Sequence, residues 1–411
     1  MHQKEMQQGF SEMTTIAILS GANLDNKNTE RLGVSYFTRF CRVVYYDSRQ
    51  ILGRSTVFPN NPESCHGAKV IELADIGQFR EQLSQHNPLF VLDFVGDCPE
   101  RKALRRVCKD MGVAFVHQST GHFPTIPISQ KIAFEAALVL DQPFSISKLL
   151  NIGSFAKQVL FRLARRLSAS IRCAEEELIP PDIALLSGKA ALNKWNSRSG
   201  KIIWVPSQDT ERYWRYRSDL TLDHSLKDKI VFIDDDLPNS RDNILYGIES
   251  VNPDRYYASM NRFFSFLEKK FGSEVIIASR DTANASTQCA AYGNRTCIKG
   301  KTMELICNSK ITIVHASTAV SYSILSRKPI LVITLNELFN DPYQISINAL
   351  AHCLGKNVLN IDNLRQEKID DEVYVDDLKW KEYEEGYLNH KASGARIWDS
   401  LLLEFPSLIK D

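Results

Sequence analysis

Four β-branched residues in a row, Ile311-Thr312-Ile313-Val314, run into the polar turn His315-Ala316-Ser317-Thr318. After a helix-length segment and a Lys328-Pro329 break, the chain resumes as Ile330-Leu331-Val332-Ile333. A strand that is apolar on both faces belongs inside a parallel sheet covered on both sides. Two such strands joined by a helix form a crossover unit, and that choice excludes most all-α and all-β folds. The turn places two hydroxyls, Ser317 and Thr318, where a helix begins. A helix start offers unpaired N–H groups and partial positive charge, which suit a phosphate. An ordinary helix cap is the alternative use of either hydroxyl.

The same punctuation recurs along the chain. Thr15-Ile16-Ala17-Ile18-Leu19, Arg42-Val43-Val44-Tyr45-Tyr46, Leu89-Phe90-Val91-Leu92-Asp93-Phe94 and Val113-Ala114-Phe115-Val116 read as strands, with helical segments between them. Pro181-Asp182-Ile183-Ala184-Leu185-Leu186 and Lys201-Ile202-Ile203-Trp204-Val205-Pro206 read as the last strands of a first unit. A charged passage over 212–229 reads as an interdomain connection, and Ile230-Val231-Phe232-Ile233 starts a second unit. With 411 residues the chain is long enough for about two domains. The expected boundaries are 14–222, 228–375 and a set of C-terminal helices over 376–411. Residues 1–13 are polar and read as a frayed extension.

Several function classes lose their support. The net charge of +1 gives no reason to expect nucleic-acid binding. No apolar run approaches the length needed to span a bilayer. The nine cysteines are scattered without a C-x-x-C pair, which argues against a disulfide framework or a zinc site and for a reducing, cytoplasmic setting. There is no G-x-x-x-x-G-K-[ST] loop, no G-x-G-x-x-G after the first strand and no G-x-S-x-G elbow, so the ATPase, dehydrogenase and α/β-hydrolase readings lack their signatures. The segment 148–172 mixes Leu, Ile and Phe with six basic residues and no acid. That composition fits either a helix lying on an anionic membrane surface or a domain helix with a solvated basic face.

Other candidate residues sit where strands end, because open α/β sheets bind ligands beyond the carboxyl ends of their strands. Asp234-Asp235-Asp236 follows a buried strand and offers a nucleophile, a general base or a divalent-metal site. Arg280, closing the strand from Val275, can clamp a phosphate with its planar fork. Lys301 and Thr302 enter another helix, with Glu304 placed to bond a ribose hydroxyl. Ser207 and Asp209 follow a first-unit strand and are candidates for acceptor binding.

Taken together, Phe232-Ile233-Asp234-Asp235-Asp236-Leu237-Pro238, Asp242, Tyr256-Tyr257-Ala258-Ser259-Met260-Asn261-Arg262-Phe263-Phe264, Lys301-Thr302-Met303-Glu304-Leu305 and His315-Ala316-Ser317-Thr318 resemble a bacterial group. This group is the surface-polysaccharide glycosyltransferases that use CMP-activated nonulosonic acids such as pseudaminic acid, Kdo or sialic-acid-like sugars. The resemblance covers roughly the second half of the chain, with Ser207-Gln208-Asp209 resembling a weaker first-half motif. It implies a GT-B fold: two Rossmann-like doubly wound domains facing each other across a cleft, with no metal or other cofactor. It also implies CMP held by the second domain through Arg280, Lys301, Thr302, Glu304, His315, Ser317 and Thr318. Asp234 matches the position of a carboxylate nucleophile in retaining transfer, with Asp235 in reserve. Where many relatives carry His-Pro, this chain has Ser279-Arg280-Asp281, and Ser240 stands where a histidine is expected. These departures imply either that Arg280 takes over the nucleotide contact or that donor use is altered or activity reduced.

The partners so implied are a CMP-sugar donor and a glycan or lipid-linked glycan acceptor in capsule or lipopolysaccharide synthesis. The location so implied is the cytoplasm, with attachment to the inner membrane surface through 148–172. Two rivals share the fold: a nucleotide-sugar epimerase, and a non-catalytic member that binds a glycan or nucleotide in an assembly complex.

Overall fold

The structure is a computed structural model that describes residues 14–54, 59–95, 99–121, 123–124, 179–192, 200–217, 226–240, 251–280, 289–338, 342–363, 367–391 and 396–408. Asp242, Asp281 and the basic segment 148–172 lie outside the described residues.

The first unit is a seven-stranded parallel sheet in the order β3-β2-β1-β4-β5-β6-β7. Its strands are β1 (Thr15–Ser20), β2 (Arg42–Asp47), β3 (Lys69–Glu72), β4 (Phe90–Phe94), β5 (Ala114–Ser119), β6 (Ile183–Leu186) and β7 (Lys201–Trp204). The helices of this unit include α1 (Asn26–Arg31), α2 (Val34–Phe37), α3 (Ile76–His86), α4 (Pro99–Asp110) and α5 (Gln208–Tyr216). Successive residues of β1 point to opposite faces. Ile16 and Ile18 therefore pack in one core with Val34, Phe37 and Leu92, while Ala17 and Leu19 pack in another with Phe79, Leu83 and Leu104. Both faces are covered, as the unbroken apolar strands require.

The second unit is a six-stranded parallel sheet in the order β10-β9-β8-β11-β12-β13. Its strands are β8 (Ile230–Ile233), β9 (Val275–Ser279), β10 (Cys297–Lys299), β11 (Ile311–Val314), β12 (Ile330–Thr334) and β13 (Leu359–Asn360). Helices α6 (Pro253–Phe271), α7 (Thr302–Asn308), α8 (Val320–Leu325), α9 (Pro342–Leu354), α10 (Glu367–Asp370) and α11 (Asp377–Tyr383) surround it. Helix α6 shows how local sequence sets an element. Asn252 caps its start by accepting from the Arg255 N–H at 3.1 Å, Pro253 occupies the first turn, and Gly272 ends it at φ 62°. Between those ends Met260, Phe263, Phe264 and Leu267 fall at helical spacing and are buried in the second core. Two parallel Rossmann-like sheets of this kind with surrounding helices make the chain a GT-B fold.

The C-terminal segment divides its loyalty. Trp380, Tyr383 and Leu388 belong to the second core, whereas Ile397, Trp398, Leu401 and Leu402 of α12 (Ile397–Leu402) belong to the first. The crossing is hydrogen-bonded: the Ser207 N–H donates to the Leu388 carbonyl at 2.7 Å, and the His390 N–H donates to the Ser187 carbonyl at 2.8 Å. Here Gly188 comes so close to the chain that a Cβ on it would lie 2.1 Å from the Gly386 carbonyl oxygen.

Candidate active site at the edge of the second sheet

In each sheet the strand order reverses once, between β1 and β4 in the first and between β8 and β11 in the second. Ligands of open α/β sheets bind at that reversal. The two strongest sequence motifs flank it in the second sheet: Asp234–Asp236 follows β8, and Ser317–Thr318 follows β11. Arg280 follows the adjoining β9, and Lys301 follows β10. Four neighbouring parallel strands thus deliver the predicted residues to one edge. The edge spans about 14 Å, from strand spacings of about 4.8 Å.

Asp234 lies inside this edge. It is 2% exposed, and its Oδ1 accepts from the Tyr292 hydroxyl at 3.0 Å and from the Asp236 N–H at 2.8 Å. The second bond exists because Asp236 adopts a left-handed turn at φ 51°, a conformation that aspartate tolerates better than most side chains. Burial pushes the Asp234 carboxyl up to about 7, against the pull of those two donors, and Asp236 and Asp235 add to the rise. Asp235 is half-buried, and its carbonyl accepts from Arg280 Nη1 at 3.2 Å. The same guanidinium nitrogen lies 3.4 Å from Ser240 Oγ. The structure therefore brings Arg280 and Ser240 together beside the Asp235 carbonyl.

Ser317 is half-buried and Thr318 exposed, so both hydroxyls remain accessible. Neither caps the helix: α8 has Ala319 at its start and no side-chain cap bond. The N–H groups of Val320, Ser321 and Tyr322 already donate to the carbonyls of Ser317, Thr318 and Ala319. A phosphate at this turn would therefore rest on the hydroxyls and nearby cations rather than on free amides of a six-residue helix. Lys301 is exposed at the start of α7 and makes no cap bond, and Thr302 is half-buried beside it. Glu304, also half-buried, has one carboxylate oxygen, Oε2, that is buried without a hydrogen-bond partner. A buried acceptor left unmet costs free energy and calls for a donor.

His315 is the correction. It is 0% exposed, with Nδ1 3.0 Å from the Ile333 carbonyl and Nε2 3.1 Å from the Tyr256 hydroxyl. Both ring nitrogens are occupied inside the core, and burial pulls the imidazole down to about 4. Its side chain holds β11 to β12 and α6 and does not reach a nucleotide.

The first-domain candidates separate. Ser207 is 3% exposed and caps α5, its Oγ accepting from the Thr210 N–H at 3.1 Å. Asp209 reaches across to the second domain, where the Tyr322 hydroxyl donates to its Oδ1 at 3.0 Å. Burial raises the Asp209 carboxyl, opposed by bonds from Tyr322 and Ser321 and by the charges of Arg212 and Lys27. Tyr322 is four residues past Thr318, so the expected acceptor side meets the expected donor side here. Around this contact lies a cavity of about 550 Å³, lined by α1, α2, α5, α12 and Tyr322. Sequence reading missed this cavity.

Among the described residues no group of three or more His, Cys, Asp or Glu side chains is placed to hold a metal ion, and no helix is long and apolar enough to cross a membrane. The described cysteines, Cys41, Cys65, Cys108, Cys289, Cys297, Cys307 and Cys353, are free.

No protein-family profile and no curated protein matches the chain. Among solved structures it is similar to CalG4, the calicheamicin glycosyltransferase, at 10% identity over 95% of each chain with a TM-score of 0.49. It is also similar to S. aureus MnaA in a structure with UDP, at 12% identity over 97% of this chain and 98% of that one, with a TM-score of 0.49. The UDP-GlcNAc 2-epimerase from Neisseria meningitidis bound to UDP-GlcNAc matches at 13% identity over 97% and 100%, with a TM-score of 0.45.

Proposed function

We propose that this chain is a glycosyltransferase that takes a nonulosonic acid from its CMP donor at the edge of the second sheet. It passes the sugar to a glycan acceptor held against the first domain. The observation that carries the reading is the meeting of the two sides. Asp209 of the first domain is bonded to Tyr322, immediately beyond the Ser317–Thr318 turn that flanks the strand reversal of the second sheet. Donor specificity rests on the sequence resemblance alone. The half-buried Glu304 is our candidate for a ribose contact, and Arg280 with Lys301 supplies positive charge for the leaving phosphate.

The resemblance implies retention through a carboxylate. Asp234 is a poor candidate for the attacking group, because it is buried, doubly hydrogen-bonded and pushed up to about 7 by desolvation. The half-buried Asp235 takes that role in our reading, with Asp234 positioning the turn. Asp235 attacks the anomeric carbon as the bond to the phosphate oxygen breaks and CMP leaves with that electron pair. An acceptor hydroxyl then displaces the carboxylate and gives its proton to a base, for which the raised carboxyl of Asp209 is suited. Two inversions leave the configuration unchanged, the logic of retaining glycosidases.

The test incubates the full chain with CMP-Kdo, CMP-pseudaminate, CMP-sialate and UDP-GlcNAc, with and without acceptor glycans, and follows nucleotide release. Acceptor-dependent release of CMP that disappears in Asp235→Ala supports the reading. Acceptor-independent epimerisation of UDP-GlcNAc would identify the epimerase instead. Tight CMP binding without turnover would identify a binding protein.

A further inference from the structure

The cavity around Asp209 carries more positive charge than its own acids can meet. Five cationic side chains line it, Lys27, Arg31, Arg39, Arg212 and Arg215, against the three carboxylates Glu30, Asp209 and Glu211. Two of those carboxylates are already used by one guanidinium: Arg215 lies 3.3 Å from Glu30 and 3.1 Å from Glu211. The third, Asp209, accepts from Tyr322 at 3.0 Å. Arg39 is spent on the Tyr36 ring, 4.8 Å from its centroid. Lys27 and Arg212 face only the shared charge of Asp209, and Arg31 that of Asp25, and among the described residues none of the three makes an ion pair.

Their placement is not that of scattered surface charge. Lys27 and Arg31 are four residues apart on α1 and so share one face of that helix. Helix α1 follows β1, which borders the strand reversal of the first sheet, where an open α/β domain binds its ligand. Arg212 enters the same cavity from α5, three residues after Asp209. Three like charges gathered in a concavity repel one another unless an anion joins them. Guanidinium groups suit phosphate and carboxylate by fork geometry.

We propose that this cavity holds an anionic group of the acceptor, so that the glycan accepted is a sugar bearing a phosphate or a carboxylate near the reacting hydroxyl. The inference rests on the transferase reading above for the word acceptor. The anion site itself stands on Lys27, Arg31 and Arg212.

Isothermal titration of the full chain at low ionic strength tests it, with N-acetylglucosamine 1-phosphate, glucuronate and methyl glucoside as probes, each raised to about 10 mM. At least one charged probe binds and methyl glucoside does not, and the tighter of the two charged probes identifies the anion as phosphate or carboxylate. Binding weakens about tenfold in Arg31→Gln and about tenfold in Arg212→Gln, the loss of one charge-assisted contact each. It also weakens as salt screens the site. Both positions are exposed, so the variants fold, and the melting-temperature rise given by CMP is the same in them as in the parent chain. Equal binding of the neutral sugar, no binding of either charged probe, or unchanged binding in the Arg31→Gln/Arg212→Gln double variant overturns the inference. A CMP response without anion binding removes this inference alone. Anion binding without any nucleotide response removes the transferase reading alone.

Discussion

Asp234→Asn should make the protein more stable, and by an amount that depends on pH. The carboxyl is buried and its pKa is raised from 3.8 to about 7, with burial as the leading cause. In the unfolded chain it ionises near its ordinary value, so between about pH 4 and pH 7 folding takes up one proton. A group raised in the fold contributes most at low pH and loses that contribution as pH climbs towards its folded pKa. Stability therefore falls by about 1.4 kcal/mol per pH unit across that window and is flat above it. The full loss approaches about 4 kcal/mol. Asparagine is nearly isosteric and carries no charge. Its carbonyl can still accept from Tyr292 and from the Asp236 N–H, the two donors now bonded to Oδ1. An imperfectly placed amide N–H would return about 1 kcal/mol of that gain. Urea unfolding at a series of pH values from 5 to 8.5 measures the difference between the two chains. The variant should gain little near pH 5 and about 2–4 kcal/mol at pH 8. A difference that does not change with pH, or a variant less stable at pH 8, would refute the assignment of Asp234 as a desolvated carboxyl.

Three further outcomes follow from the packing. Gly188→Ala should cost about 1–3 kcal/mol in denaturant unfolding, because its Cβ would meet the Gly386 carbonyl at 2.1 Å; Gly386→Ala, with open space around it, is the control. His315→Ala should lose about 3 kcal/mol by leaving the Tyr256 hydroxyl unpaired and a void in the core, while CMP affinity of the folded protein stays unchanged. Glu304→Gln should weaken CMP binding about tenfold in titration calorimetry without lowering the melting temperature, since it removes a charged acceptor from a ribose hydroxyl.

Most of the sheet was legible because its central strands are apolar on both faces. β1, β2, β4, β8, β9, β11 and β12 each carry a run that leaves little choice of structure. The strands that escaped are edges. β3 is Lys69-Val70-Ile71-Glu72, half-buried at best, β10 has three residues and β13 has two. An edge strand has one neighbour and half the burial, so its sequence carries half the signal. At the site, strand-end logic placed Asp234, Arg280, Lys301 and Ser317 on one edge. It failed for His315, because a histidine after a buried strand reads like a ligand. Only the fold shows that the Ile333 carbonyl and the Tyr256 hydroxyl claim both nitrogens. The cavity around Lys27, Arg31 and Arg212 had no motif. Its residues come from a six-residue polar helix and from α5, far apart in sequence and each unremarkable alone. Nor does sequence say that Trp380 and Trp398, eighteen positions apart, serve different cores.

Where a cytidylate sits decides the account most directly. A crystal structure of the full chain soaked with CMP should place the phosphate within hydrogen-bond distance of Ser317 or Thr318 and a ribose hydroxyl on the Glu304 carboxylate. A phosphate seated among Lys27, Arg31 and Arg212 instead, or a nucleotide away from the edge formed by β8, β9, β10 and β11, would contradict it.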